Sequence, residues 1–337
     1  MNFRLYGQTD ILSFKKQIEL IEKAAKQLGY ETYITNLDKP PSLKEGRYDK
    51  LLLFLVGIPS LLFYTYRFQT KIYADQAAYY ITLEGIPKVN QQQLTILKRC
   101  KIFTNSRAGL FYAEKGGLKP AGFYYHAIDP AEVIPAKQLG KHLRNSFKDK
   151  FLCGYVGSPI KRKGLNLLFE AAKIVYDKYG DKILFLIWSQ NSPELNLPNI
   201  PNIIFYDNFG RCQHIEVMNF YYNLDLYVQP SLAEGFCLPL LEAQAMGVPA
   251  VAVKGGPMAE LVNEKRGYPF PYKKIEYEDI GMQQDFVMYY YSPEDLAAAI
   301  FAAYENPVEL KEKSKKAAEF ARKFSYDKVY IPLIRAI

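Results

Sequence analysis

The segment QPSLAEGFCLPLLEAQAMGVPAVA, residues 229–252, holds the side chains best placed to do chemistry. An apolar strand ends at Pro230-Ser231. A loop carries Glu234-Gly235-Phe236-Cys237. A helix then starts near Leu238-Pro239, carries Glu242 and stops at Gly247. Pro239 suits a first helical turn, where its missing N–H has no helical partner in any case, and Gly247 suits a helix end. The backbone N–H groups around 236–240 then point out of the carboxyl edge of a sheet. With the helix dipole they form an anion site suited to a diphosphate. The small Gly235 lets a ligand approach the main chain. Glu234 and Glu242 lie eight residues apart, so both can border one pocket from different heights. Either glutamate alone reads more simply as a surface or helix-stabilising residue. The whole string does not.

Elements that hold such a turn recur along the chain. Strands are predicted at 3–6, 31–36, 51–57, 71–74, 79–82, 101–104 and 122–126, with helices at 11–28, 90–98 and 106–115. The stretch Leu51–Tyr66 reads as a buried strand followed by a loop, because Gly57 and Pro59 interrupt it. The pattern restarts with FLCGYVG (151–157) and a helix whose face is Leu165, Leu168, Phe169, Ala172, Val175, Tyr176 and Tyr179. Strands follow at 182–188, 202–206, 224–230 and 248–253. Repeated β-α-β units imply parallel sheets with right-handed crossovers. Two series joined near 130–150 predict an α/β protein of two Rossmann-like doubly wound domains facing across a cleft; a single β/α barrel is the competitor.

At 337 residues the chain is long for one core and fits two. With 49% hydrophobic and 23% charged residues it has the balance of a soluble folded protein. Four scattered Cys without a C-x-x-C pair argue against a disulfide scaffold or a zinc ribbon. Three His without metal-site spacing make a structural metal improbable. G-x-G-x-x-G and P-loop motifs are both missing, so neither dinucleotide hydride transfer nor P-loop chemistry is supported. The opening MNFRLYGQTD does not read as a signal peptide, and a cytoplasmic location is expected. The net charge of +8 is uneven: residues 1–150 carry 23 Lys and Arg against 13 Asp and Glu. That basic half suits an anionic partner, and a peripheral contact with a membrane surface is a further expectation. The run KQLGKHLRNSFKDK (137–150) reads equally as a basic surface helix or an exposed linker.

The string around Glu234 resembles the signature of family 4 retaining glycosyltransferases, P-S followed by E-G-F-G-L-P-x-x-E-A-x-A-x-G-x-P. Here it reads Pro230-Ser231, Glu234-Gly235-Phe236-Cys237-Leu238-Pro239, Glu242-Ala243, Ala245, Gly247 and Pro249, with Cys237 in place of a glycine. GYVGSPIKRKGLNLLFEAA (154–172) is similar to the family's strand, G-R-x-x-x-x-K-G and helix. SPEDLAAAI (292–300) and FSYDKVY (324–330) are similar to its closing helices. The resemblance implies the GT-B fold, with an acceptor-side domain over 1–150 including a basic linker at 135–150. It places a donor-nucleotide domain over 151–323 and a C-terminal helix, 324–337, packing back on the first domain. It implies that Glu242 accepts hydrogen bonds from the donor ribose, that Glu234 borders the transferred sugar as the catalytic carboxylate, and that the N–H groups of Gly235, Phe236, Cys237 and Leu238 hold sugar and diphosphate. Lys163 falls on the family's diphosphate-binding lysine. Ser158 stands where the family has an arginine, with Lys161 or Arg162 as substitutes. Gly7, Arg162 and Ser158 are further candidates for the donor–acceptor cleft. His126 reads as a structural strand-end histidine, and Asp75 and Glu84 as candidate cleft carboxylates from the first domain, with solvated surface carboxylates as the alternative. PYKKIEYEDIGMQQDFVMYYY (271–291) reads as an insertion forming a loop or short hairpin.

The expected reaction is retaining transfer from a nucleotide-diphosphate sugar. Cations and a helix start neutralise the departing diphosphate, and a carboxylate offsets the oxocarbenium-like sugar. No metal or other cofactor is then required. The expected acceptor is a glycan, a lipid-linked group or a protein rather than DNA. Two alternatives are a GT-B enzyme acting on a polyanion such as DNA, and a degenerate sugar-nucleotide binder.

Overall fold

A computed structural model describes residues 1–10, 12–37, 47–67, 74–193, 195–279 and 281–337. The chain forms two compact units. The first comprises Met1–Ile128, Tyr277–Val287 and Phe324–Ile337; the second comprises Asp129–Glu276 and Met288–Lys323.

In the first unit the order is β1 (Asn2–Gly7), α1 (Leu12–Gln27), β2 (Glu31–Asn36), β3 (Tyr48–Val56), α2 (Gly57–Arg67), β4 (Ala74–Thr82), β5 (Gly85–Pro87), α3 (Gln91–Leu97), β6 (Ile102–Thr104), α4 (Arg107–Lys115) and β7 (Gly122–Phe123). Six strands make a parallel sheet in the order β2-β1-β3-β4-β6-β7. Leu51, Leu52, Leu53, Phe54 and Leu55 of β3 are buried without alternation, as a strand covered on both faces requires. The strands expected at 71–74 and 79–82 are one strand from Ala74, and residues 71–73 lie outside the described residues. The loop expected after β3 is instead the helix α2. Gly57 takes φ +71° and turns the strand directly into the helix, and Pro59 sits in its first turn, where no N–H is needed. Gly7 ends β1, and a Cβ there would collide with Ile18 of α1. Its small size seats that helix on the sheet.

The second unit opens with α5 (Pro130–Gln138) and α6 (His142–Ser146). It continues through β8 (Phe151–Val156), α7 (Leu165–Tyr179), β9 (Ile183–Trp188), β10 (Ile203–Tyr206), α8 (His214–Tyr222), β11 (Leu226–Gln229), α9 (Leu238–Ala245), β12 (Ala250–Val253), α10 (Gly256–Leu261) and β13 (Gly267–Phe270). The parallel sheet runs β10-β9-β8-β11-β12-β13. In order of appearance this is 3-2-1-4-5-6, the doubly wound arrangement whose direction reverses between its first and fourth strands. Two open sheets exclude the barrel alternative.

The division falls at Ile128–Asp129, ahead of the expected 150–151 boundary. The basic run is neither one surface helix nor a free linker. Arg144 pairs with Asp225 at 2.7 Å, its backbone N–H donates to Asn223 at 2.9 Å, and Asn219 donates to the carbonyls of Ala136 at 2.8 Å and Gly140 at 2.9 Å. These contacts fasten 129–150 to α8 and the start of β11.

The insertion is a hairpin of β14 (Lys274–Asp279) and β15 (Gln284–Tyr290). Gln284–Phe286 pairs antiparallel with Gly85–Pro87 of β5, and Lys88 bonds Asp279 at 3.0 Å and Asp285 at 2.7 Å, all within the first unit. The second unit closes with α11 (Pro293–Glu305) and α12 (Pro307–Ala321); the last helix, α13 (Tyr326–Ala336), packs on α1 of the first. The Tyr330 hydroxyl of α13 bonds Gln17, whose amide in turn clamps the main chain of Ala127 at 2.9 Å. Beside it His126 meets Tyr80 at 3.1 Å and Asn105 at 3.0 Å. Burial lowers its pKa to about 3, so the ring is neutral and structural. Asp75 lies in an exposed pair with Arg47 at 2.8 Å, while the backbone carbonyl of Glu84 accepts from Val287 at 3.3 Å. Among the described residues no helix is long and apolar enough to cross a membrane.

Candidate active site

The reversal point of the second sheet lies between β8 and β11, and ligands of doubly wound sheets bind beyond the carboxyl ends of such strands. Two loops leave there. After β8, Gly157 turns the chain, and its carbonyl accepts from Ser189 at 2.7 Å. Ser158 contributes its carbonyl to Tyr155 at 3.1 Å. A tight turn of 3₁₀ helix, Lys161–Lys163, leads into Gly164, whose φ of +66° starts α7. A Cβ at Gly164 would collide with the Pro230 carbonyl, so only glycine lets the two loops touch. The same carbonyl accepts from the Tyr291 hydroxyl. The Leu232 N–H donates to the Arg162 carbonyl at 2.8 Å, which stitches the turn to the loop after β11.

That stitching brings Lys163, Arg162 and Glu234 together. Lys163 Nζ lies 2.6 Å from Glu234 Oε1, and Arg162 Nη1 lies 3.6 Å from Oε2 and donates to the Ala233 carbonyl at 3.2 Å. Glu234 Oε1 also accepts from Ser231 Oγ at 2.7 Å and Gln229 Nε2 at 3.0 Å. Gln229 is held in register by the Tyr227 hydroxyl at 2.8 Å. Glu234 is only 5% exposed. Burial pushes its pKa up, but the Lys163 and Arg162 charges, with hydrogen bonds from Lys163 and Ser231, outweigh burial and hold the carboxyl below the usual carboxylate range. It is a fixed anion, unsuited to trading protons near neutrality.

Glu242, inside α9, bonds different partners: Oε1 meets His214 Nε2 at 2.9 Å, and Oε2 accepts from Tyr221 at 3.3 Å. The two glutamates therefore belong to separate hydrogen-bond networks, one before α9 and one within it. Gly235, Phe236 and Cys237 are buried, while Leu238 and Pro239 are half-buried. Lys161 is exposed at the head of its turn. Gly7 lies in the first unit at the end of β1, where packing against Ile18 accounts for it.

Cys237 precedes α9 with φ +76° and ψ +64°. This left-handed conformation costs a residue with a side chain about 1–2 kcal/mol. Burial raises the thiol pKa well above its ordinary value, so it is held as an unreactive thiol. We expect Cys237→Gly to be more stable than Cys237→Ala by about 1 kcal/mol, the reverse of the usual order. Denaturant unfolding of the pair checks this, and an alanine variant at least as stable as the glycine one would contradict it.

Several site residues escape sequence reasoning. Gln229 and Ser231 stand in the recognised string, but nothing local shows that both turn onto Glu234. His214 and Glu132 carry no motif, and their contacts span 28 residues to Glu242 and 82 residues between themselves. Among the described residues, no group of three or more His, Cys, Asp or Glu is placed to hold a metal ion.

The family model for glycosyl transferases group 1 matches residues 141–324, just over half of the chain and every site residue above except Glu132 and Gly7. The chain belongs to that family. Among relatives of this group 1 glycosyltransferase is an uncharacterized glycosyltransferase of Sulfolobus islandicus rod-shaped virus 1. It is 28% identical over 292 residues, which is 84% of this chain and 86% of that protein. The capsular polysaccharide biosynthesis glycosyltransferase CapM of Staphylococcus aureus is 31% identical over 139 residues, 39% of this chain and 35% of that protein. The structure of HepE from Anabaena in complex with UDP superposes with a TM-score of 0.68 at 14% identity, covering 100% of this chain and 99% of that one. Likeness at that identity concerns the fold, which is GT-B: two parallel-sheet Rossmann-like α/β domains.

Proposed function

We propose that this group 1 glycosyltransferase is a family 4 enzyme that moves a sugar from a nucleotide-diphosphate sugar to an acceptor hydroxyl with retention of configuration. The observation that carries the reading is the part-buried Lys163–Glu234 pair at 2.6 Å, set at the sheet reversal beside the start of α9. One locus offers both cations for a diphosphate and a fixed anion for the sugar. In the reaction the bond from the anomeric carbon to the β-phosphate oxygen breaks, and a bond to the acceptor oxygen forms on the same face. The acceptor proton passes to the departing diphosphate. Lys163, Arg162 and the N-terminus of α9 stabilise that dianion, because charge developing in a dry, preorganised site is worth far more than in water. Glu234 opposes the positive charge on the sugar. Glu242 takes the ribose hydroxyls through lone pairs left over from His214 and Tyr221.

The cations on the chain supply the neutralisation, so the proposal includes no metal, and chelator is expected to leave turnover unchanged. The UDP bound by HepE supports a nucleotide donor. The acceptor is proposed to be a hydroxyl on a glycan, a lipid-linked group or a protein. A thermal-shift panel of UDP-, GDP-, ADP- and dTDP-sugars tests the reading. One donor class is expected to raise the unfolding midpoint, since saturation at about 100 times Kd adds about 2.7 kcal/mol. No stabilisation by any of the four, together with no sugar transfer, would overturn it.

A further inference from the structure

We propose that His214 is a positioning residue, held as an imidazolium between Glu132 and Glu242, that fixes the Glu242 carboxylate for the donor ribose. The inference rests on the reading of Glu242 as a donor-binding residue.

His214 Nδ1 lies 3.0 Å from Glu132 Oε2, and Nε2 lies 2.9 Å from Glu242 Oε1. A carboxylate only accepts, and a neutral imidazole has a single N–H. With a neutral ring, one of these two contacts would set lone pair against lone pair. The doubly protonated ring satisfies both with charge-assisted bonds. The three residues come from three helices: Glu132 in the first turn of α5, His214 as the first residue of α8, and Glu242 within α9. A cation at the first residue of a helix meets the unfavourable end of its dipole. The local preference is thus broken at this residue, and two carboxylates from neighbouring helices compensate.

The helices in contact carry few other titratable groups. On α5 the remaining charge is Lys137, which lies over the Tyr222 ring at 5.4 Å. On α8, Glu216 is turned back to the Gln213 N–H at 2.7 Å, and the Tyr221 hydroxyl faces Glu242. On α9, Glu242 is the one ionisable residue. Burial lowers the His214 pKa, but Glu242 and then Glu132 overcome burial and raise it to about 10. The ring therefore stays charged through neutral pH, and donor affinity in the native protein is expected to be level there. Without Glu132 the ring loses one of its two carboxylates, and its titration moves down.

The test measures binding of the nucleoside diphosphate of whichever donor stabilises the protein, from about pH 6 to about pH 9, alongside ¹⁵N spectra of the histidine rings. The native protein is expected to show level affinity and imidazolium shifts for His214 at the upper end. Glu132→Gln is expected to bind as the native protein does in acid and about tenfold more weakly in alkali, with KM moving more than kcat. His214→Ala is expected to bind about tenfold more weakly throughout. A neutral His214 ring in the native protein at the upper pH, or level affinity in Glu132→Gln equal to native, would overturn the inference and leave the proposed transfer standing. A native protein that binds no nucleoside diphosphate would overturn both.

Discussion

Replacing Glu234 by Gln is expected to separate binding from turnover. The native carboxylate takes Lys163 at 2.6 Å and Arg162 at 3.6 Å, the two cations that the proposed mechanism assigns to the diphosphate. An amide keeps the shape and most hydrogen bonds but releases both charges to the ligand. Nucleoside diphosphate affinity in Glu234→Gln should therefore equal or exceed that of the native protein. Turnover should fall by about 10²–10³, the scale on which loss of one preorganised electrostatic group acts. Titration calorimetry and initial rates give the two numbers. Weaker nucleotide binding, or native turnover, would contradict the assignment. The fold should survive with a loss of about 1–3 kcal/mol. That is less than for a fully buried pair, because Lys163 and Arg162 keep 16% and 20% side-chain exposure.

The same substitution has a pH consequence. The folded-state pKa of Glu234 lies below its ordinary value, so its contribution to stability is present above the ordinary carboxylate range and is lost as pH falls through the depressed value. Acid unfolding of Glu234→Gln should lack that increment, while a fall in stability as steep as the native one would show that Glu234 does not titrate in this way.

Lys163→Met is expected to do the opposite to binding. Methionine keeps the apolar stem and removes the charge, leaving Glu234 facing Arg162 alone. A diphosphate arriving at that locus meets a carboxylate with one cation fewer. Nucleoside diphosphate affinity should fall about tenfold to a hundredfold, as for a lost hydrogen bond to a charged group. Turnover should fall as well, because the departing phosphate carries more charge than the bound donor. Affinity within twofold of native would show that Lys163 serves Glu234 and not the ligand. Opposite shifts in affinity from the two partners of one ion pair are hard to obtain from general destabilisation, which would weaken both.

Legibility from the sequence followed the range of the forces involved. Strand and helix order was readable because burial patterns are local, as in the apolar runs of β3 and β8 and the face of α7. The site turn was readable because Pro239 and Gly247 mark the two ends of α9 within a few residues of each other. Failures began where packing over distance decides. Gly57 and Pro59 read as a break, yet a left-handed glycine followed by a first-turn proline starts α2. The basic run 137–150 looked solvated, but Asp225, Asn219 and Asn223 anchor it to the second unit. The resemblance sets Lys163 at a diphosphate-binding position, while its pairing with Glu234 depends on Gly164 letting two loops meet. His214 was invisible, since its partners lie on two other helices and no spacing rule links them.

The most direct test is a crystal structure of the protein with the nucleoside diphosphate of its stabilising donor. The β-phosphate should lie within about 3 Å of Lys163 Nζ and face the N-terminus of α9, with the ribose hydroxyls on Glu242. A diphosphate seated away from residues 234–242, with Lys163 and Arg162 making no contact to it, would contradict the account.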